Sequence, residues 1–139
     1  MRRVVVDANV IVSAILSPDG GPAKILRLLQ EEKIQILVSY PVLHEFITAL
    51  MYPHLQKRHG LSKKQVSEKI FHLAKIGKLV NPKKRLNIIE DDPADNKYLE
   101  LAVEGEADCI VSGDNHLKKL KSYRGIEIVE PSAFLKTME

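Results

Sequence analysis

Three consecutive valines at positions 4–6 stop at Asp7, and apolar residues then resume in ANVIVSAIL. A short continuous apolar run fits a strand buried on both faces, and the stretch behind it fits a helix that runs into the turn formers of SPDGGP. The amphipathic segment AKILRLLQEE predicts a second helix, and IQILVS a second short strand. YPVLHEFITALMYPHLQKR places apolar residues at helical spacing, with Pro53 ending or kinking the helix. Ser62 is the expected cap of KKQVSEKIFHLAKIG, whose Val66, Ile70, Leu73 and Ala74 form one face and which stops at Gly77. KLVNP and RLNII read as short extended pieces. DDPADNKYLELAVEG is the clearest helix, with Asp92 at the N-cap, Pro93 at the first helical position and Gly105 just past the end. DCIVSG reads as a strand, DNHLKKLKSY as a short helix, IEIVE as a strand and PSAFLKTM as a terminal helix opened by Pro131.

Strands alternating with helices predict an α/β sandwich built on a mostly parallel sheet covered on both faces. A length of 139 residues suits one domain, residues 1–139, and no repeat or linker divides it. Hydrophobic residues at 45 % and charged residues at 28 % are globular proportions and exclude a disordered chain. The lone cysteine, Cys109, permits no internal disulfide and sits in a strand pattern, which fits a reducing cytoplasm. Arg2 and Arg3 before an apolar run imitate a secretory signal, but Asp7 and Asn9 interrupt it and no small-residue cleavage site follows. No stretch approaches the roughly 18 apolar residues of a membrane helix, so a soluble protein is expected.

The net charge of +3 is unevenly spread. QKRHGLSKK and NPKKRLN are basic, whereas IEDDPADN and EGEAD are acidic. Each run alone could be solvated surface; together they suit basic surface for a polyanion beside an acidic pocket.

In open parallel sheets the functional crevice lies outside the carboxyl ends of the strands. The first strand delivers Asp7 there, and CIVSG delivers Asp114, two positions after Ser112. The helix after the second strand carries Glu45, and the helix begun at Pro93 carries Asp95. Carboxylates brought together from these parts of the chain would repel one another and take up protons unless a cation compensates. Hard oxygen ligands without a cysteine or histidine pair favour magnesium or manganese over zinc or copper. One or two such ions could hold a phosphodiester and activate a water for in-line attack. Each acid also has a local use: Asp7 and Asp114 as caps, Asp95 at the positive end of a helix, Glu45 on a helix surface. Asp92 is expected to cap, with support of a metal site as a lesser role. Glu90, Asp91 and the histidines are expected at the surface or in packing. Ser112 suits a phosphate, a metal-bound water or a strand-end turn.

VVVDANVIVSAIL, SYPVLHEFITAL and DDPADNKYLELAVEGEADCIVSGDNHL together resemble the PIN domain, and more closely the PIN-family toxins of the VapC type. The resemblance spans essentially the whole chain and lies in the order and spacing of its acids. It implies a three-layer α/β/α fold with a sheet of about five strands. It further implies Mg²⁺- or Mn²⁺-dependent cleavage of single-stranded RNA by the quartet Asp7, Glu45, Asp95 and Asp114, with Asn9 and Ser112 as flanking polar positions. Homodimers, and a small antitoxin protein seated in the active-site groove, are implied too. One departure concerns the fourth acid: many such toxins carry T-x-N-x-x-D-F there, whereas this chain has SGDNHL. A housekeeping RNA-processing or decay nuclease is therefore an alternative to a toxin.

Two further readings compete. Asp7 could form an aspartyl phosphate, although Asn9 stands where such hydrolases place a second acid and RRVVVD lacks the acidic pair of a receiver. The basic runs at residues 57–64 and 83–85 could serve a noncatalytic RNA- or partner-binding module, although only 5 % of residues are aromatic.

Overall fold

The apolar runs become six strands in the computed structural model, which describes residues 1–139. They are β1 (Arg2–Val6), β2 (Ile34–Val38), β3 (Lys78–Leu79), β4 (Cys109–Val111), β5 (Ser122–Tyr123) and β6 (Ile126–Val129). Their order across the sheet is β3-β2-β1-β4-β6-β5, parallel throughout except for the β5–β6 pair. Val4, Val5 and Val6 are at most 1 % exposed although alternate side chains face opposite sides, so both faces of the central strand are covered.

The covering helices are α1 (Ala8–Leu16), α2 (Gly21–Gln30), α3 (Tyr40–Leu50), α4 (Pro53–His59), α5 (Lys63–Ile76), α6 (Asn96–Glu104), α7 (Asn115–Lys118) and α8 (Pro131–Thr137). Together with the sheet they make the expected three-layer arrangement, enclosing one continuous apolar core. Ser62 caps α5 as expected, and Gln65 completes a reciprocal capping box. Gly77 ends α5 where the chain passes β2; a Cβ there would meet the Ile36 carbonyl oxygen at 2.6 Å. Cys109 is buried, and burial pushes its thiol up to about 11, which leaves it unreactive. No helix is long and apolar enough to cross a membrane.

From β1 the chain builds outward to β2 and β3, then returns past β1 to lay β4 on its other side. The carboxyl ends of β1 and β4 therefore flank the point where strand order reverses, the place where parallel sheets open a crevice.

Three expectations are corrected. The sheet has six strands rather than about five, because Ser122 and Tyr123 leave the predicted α7 region and pair back on β6. Arg124 and Gly125, with φ of 51° and 81°, make the two-residue turn that this hairpin requires. RLNII does not join the sheet. The backbone of this segment and of Lys83 before it is bound by side chains from one face of α6: Glu104 accepts from Lys83 N at 3.1 Å, Glu100 from Leu86 N at 2.8 Å, and Asn96 from Ile88 N and Ile89 N at 3.0 and 2.9 Å. Residues 96, 100 and 104 recur every four positions, so one helix face supplies the acceptors that a neighbouring strand would otherwise provide. Third, Asp92 does not cap an α-helix. Pro93–Asp95 form a single 3₁₀ turn, α6 starts only at Asn96, and the Asp92 side chain makes no capping bond.

Asn96 also donates to Ile89 O and Pro93 O at 3.0 and 3.1 Å, so one buried amide ties the approach segment to the helix start. Asn96→Ala leaves these backbone groups short of partners and should lower stability by about 2–3 kcal/mol. Urea denaturation measures the loss, and amide exchange at Ile88 and Ile89 should quicken more than at Ile36.

Candidate functional site

Asp7 follows the last residue of β1 and is only 3 % exposed. It caps α1 through Oδ1, which accepts from Val10 N at 3.0 Å, and its other oxygen accepts from the Ser112 hydroxyl in a short hydrogen bond. Ser112, fully buried just past β4, also accepts from Asp114 N at 2.9 Å. One hydroxyl thus ties the first acid to the backbone of the fourth. Asp114 caps α7 through Oδ1, which accepts from His116 N and Leu117 N at 2.7 and 3.1 Å. The two readings of Asp114 are compatible, because both capping bonds fall on one carboxylate oxygen.

Glu45 lies on the second turn of α3 and is held from α6. Tyr98 Oη accepts from Ala8 N at 3.1 Å and donates to one Glu45 oxygen, and Lys97 forms a close ion pair with the other. Asp95 ends the 3₁₀ turn and is 8 % exposed; its Oδ2 is buried without any hydrogen-bond partner. Asp95 and Asp114 gather with Asp92 and His116, and one ligand atom from each lies within 4.8 Å of the others. Asp7 and Glu45 stand outside that tight group, each on its own hydrogen-bond partners. Asn9 is exposed and makes no hydrogen bond to the acids; it lines an open groove with His44, Glu45, Thr48, Tyr52 and Lys97.

Charge at this edge is poorly balanced. Burial is the main cause that raises the Asp7 carboxyl; the Ser112 and Val10 hydrogen bonds oppose it, and Asp114 and Glu45 push it further up. Asp95 rises from 3.8 to about 7, first through burial and then through the negative charges of Asp114 and Asp92. No lysine or arginine pairs with Asp7, Asp95 or Asp114. Clustered carboxyl oxygens, one of them buried and unpartnered, fit a hard divalent cation.

Sequence reasoning missed Lys97, Tyr98 and His116, and placed Asp92 mainly as a cap. The α6 signal was present: Tyr98 falls three positions beyond Asp95 and Lys97 two, close enough to reach a site that includes Asp95. Nothing local in the sequence pairs either with Glu45, more than fifty positions away.

The raised Asp95 value has a sign that can be tested. The folded chain keeps this proton up to about pH 7, whereas the unfolded chain loses it near 3.8. The proton-linked stability is therefore full below pH 3.8, declines as pH rises, and is lost above about 7. Asp95→Asn should raise the melting temperature of the metal-free protein by a few degrees at pH 8 and leave it nearly unchanged at pH 4. Mn²⁺ should stabilise the native chain more than the variant, increasingly so as pH rises.

Comparison with known proteins bears on the family and the fold. An uncharacterised protein of Methanocaldococcus jannaschii is 34 % identical over 119 residues, covering 86 % of this chain and 75 % of the relative. In fold, the chain is similar to VapBC2 of Rickettsia felis, a complex solved on a promoter DNA fragment. That match has a TM-score of 0.60 at 17 % identity and covers 91 % of this chain and 96 % of the other. It is also similar to PAE2754 of Pyrobaculum aerophilum, with a TM-score of 0.57 at 18 % identity, covering 99 % and 90 % of the two chains. The family model described as PIN domain matches residues 3–116, a span that carries all the acids placed here and the groove beside them. By that match, the chain belongs to the PIN-domain family.

Proposed function

We propose that this PIN-domain nuclease is a divalent-metal-dependent endoribonuclease that hydrolyses phosphodiester bonds of single-stranded RNA. The observation that carries the reading is the set of carboxylates at the strand-order reversal, where Asp95 keeps a buried oxygen unpartnered beside Asp114. Asp7, Glu45, Asp95 and Asp114 would hold one or two Mg²⁺ or Mn²⁺ ions. Such ions, when bound, polarise a phosphodiester and lower the pKa of a water to be used as nucleophile.

The chain's own contribution is position. Ser112 fixes the Asp7 carboxylate, so the acid at the end of β1 is not free to swing into solvent. Tyr98 and Lys97 fix both oxygens of Glu45 and keep that side chain at the rim of the groove. Tyr52, 54 % exposed and lining the groove with Glu45, offers a face on which an unpaired base can stack. Lys97 lines the groove wall, where its ammonium would exchange Glu45 for a backbone phosphate.

Purified protein should cut a single-stranded RNA when Mn²⁺ or Mg²⁺ is present and stop when EDTA is added. Asp7→Asn should reduce the rate at least about 100-fold while the far-UV CD spectrum is retained. Cleavage that persists through both treatments would sink the proposal, and a matched DNA strand tests the choice of RNA.

We further propose a toxin role in the cytoplasm, restrained by a small antitoxin protein. It is supported by the likeness in fold to the VapBC2 complex. Expression with the neighbouring reading frames should copurify a small protein that suppresses cleavage. Protein that purifies alone and active would instead fit RNA processing or decay.

A further inference from the structure

We propose that His116 and Asp92 join Asp95 and Asp114 in a mixed nitrogen and oxygen site that selects manganese and other first-row divalent cations over magnesium. The proposal rests on the reading of the acidic edge as a cation site, and extends it to two side chains with no other evident task.

The donors arrive as two independently fixed pairs. Asp92 and Asp95 flank the 3₁₀ turn, which Asn96 pins by donating to Pro93 O at 3.1 Å. Asp114 and His116 open α7, whose start is set by the Asp114 cap and whose Leu117 is fully buried. The pairs lie at least 19 residues apart in the chain, yet their ligand atoms come within 4.8 Å of one another.

Two buried side-chain polar atoms lack a hydrogen-bond partner, and both are here: Asp95 Oδ2 and His116 Nδ1. Their residues belong to one cluster, although such orphaned atoms elsewhere in proteins are few. His116 Nδ1 lies 3.8 Å from Asp92 Oδ2 and 3.7 Å from Asp114 Oδ1, too far for a hydrogen bond. Ligands about 2.1 Å from one octahedral ion stand roughly 3 Å apart when adjacent and 4.2 Å when opposite. The two His116 gaps lie between those separations, and the four ligand atoms, all within 4.8 Å, need only small shifts to close on one ion.

The donor set decides the preference. A neutral imidazole offers a lone pair at Nδ1, and magnesium favours oxygen shells and gives up water reluctantly. Manganese shares the liking for carboxylate yet accepts nitrogen, as do the later first-row metals with rising affinity. Carboxylates alone would discriminate less.

Spin-echo EPR of the full chain loaded with Mn²⁺ reads the bond directly, because a coordinated imidazole nitrogen modulates the echo. Modulation is expected in the native chain and in His72→Ala, and should vanish in His116→Gln and His116→Ala. Competition between the two ions should show His116→Gln losing about tenfold of the Mn²⁺ preference over Mg²⁺. Bound Mn²⁺ without nitrogen modulation, or modulation that survives both His116 variants, overturns the proposal and leaves an all-carboxylate site standing. Failure to bind Mn²⁺ removes the site and the metal dependence together. Nitrogen modulation in a protein that cuts no RNA keeps the proposal and removes the ribonuclease reading.

Discussion

Carboxylates buried at the ends of parallel strands, without enough positive charge to balance them, are the constraint to which the surrounding structure answers. Asp7 sits beneath the surface because β1 is covered on both faces up to its last residue. Asp95 is drawn in by the 3₁₀ turn that precedes α6. Both hold their protons above the usual carboxylate range, chiefly because burial penalises the charged form. A fold selected for stability alone would replace such groups with apolar ones of similar size. Their retention in a crevice, with one oxygen unpartnered, is the pattern that marks a functional site.

Holding repelling groups in place requires a stiff frame, and it comes from hydrogen bonds between side chains and backbone N–H groups. Asp7 and Asp114 are fixed by their own capping bonds, and Ser112 joins the two ends. The approach to Asp92 is fixed by the ladder of Asn96, Glu100 and Glu104 along α6. Glu100 is largely buried and also receives Arg85, so this ladder carries a charge-balancing contact of its own. A side chain held by secondary-structure ends is positioned more accurately than one on a free loop.

The fold was largely legible because its signals were local. Periodicity marks the strands and helices, and Ser62, Gly77, Gly105 and Pro131 mark helix ends where the structure has them. The failures were non-local. RLNII has strand composition, but its partners lie on α6, and no property of the segment itself says so. The Asp92–Pro93 pair has the composition of an N-cap, yet the chain first makes a tight turn, and this difference frees Asp92 for the cluster. β5 was hidden because its register depends on the turn at Arg124 and Gly125 rather than on Ser122 and Tyr123. Asp7 and Asp114 could be placed from topology alone, since residues that follow neighbouring parallel strands reach the same edge. The partition of the four acids could not. It depends on Lys97, Tyr98 and His116, whose roles exist only once distant elements are packed.

That partition shows two ways of answering the same electrostatic problem. Glu45 is neutralised internally by the Lys97 ammonium and a phenol hydroxyl, so its charge is met in the protein alone. Asp95 and Asp114 have no lysine or arginine and face each other beside an imidazole too distant to hydrogen-bond. The second group is therefore the more demanding of an external cation, and an ion entering the edge gains most there, where it removes the like-charge repulsion. On the proposed reading, Glu45 would be freed as a ligand only as Lys97 is drawn elsewhere, and a polyanion in the groove that Lys97 lines would compete for its charge. On that metal-site reading, Glu45 would be freed by substrate, whereas the Asp95–Asp114 side would take a cation without it.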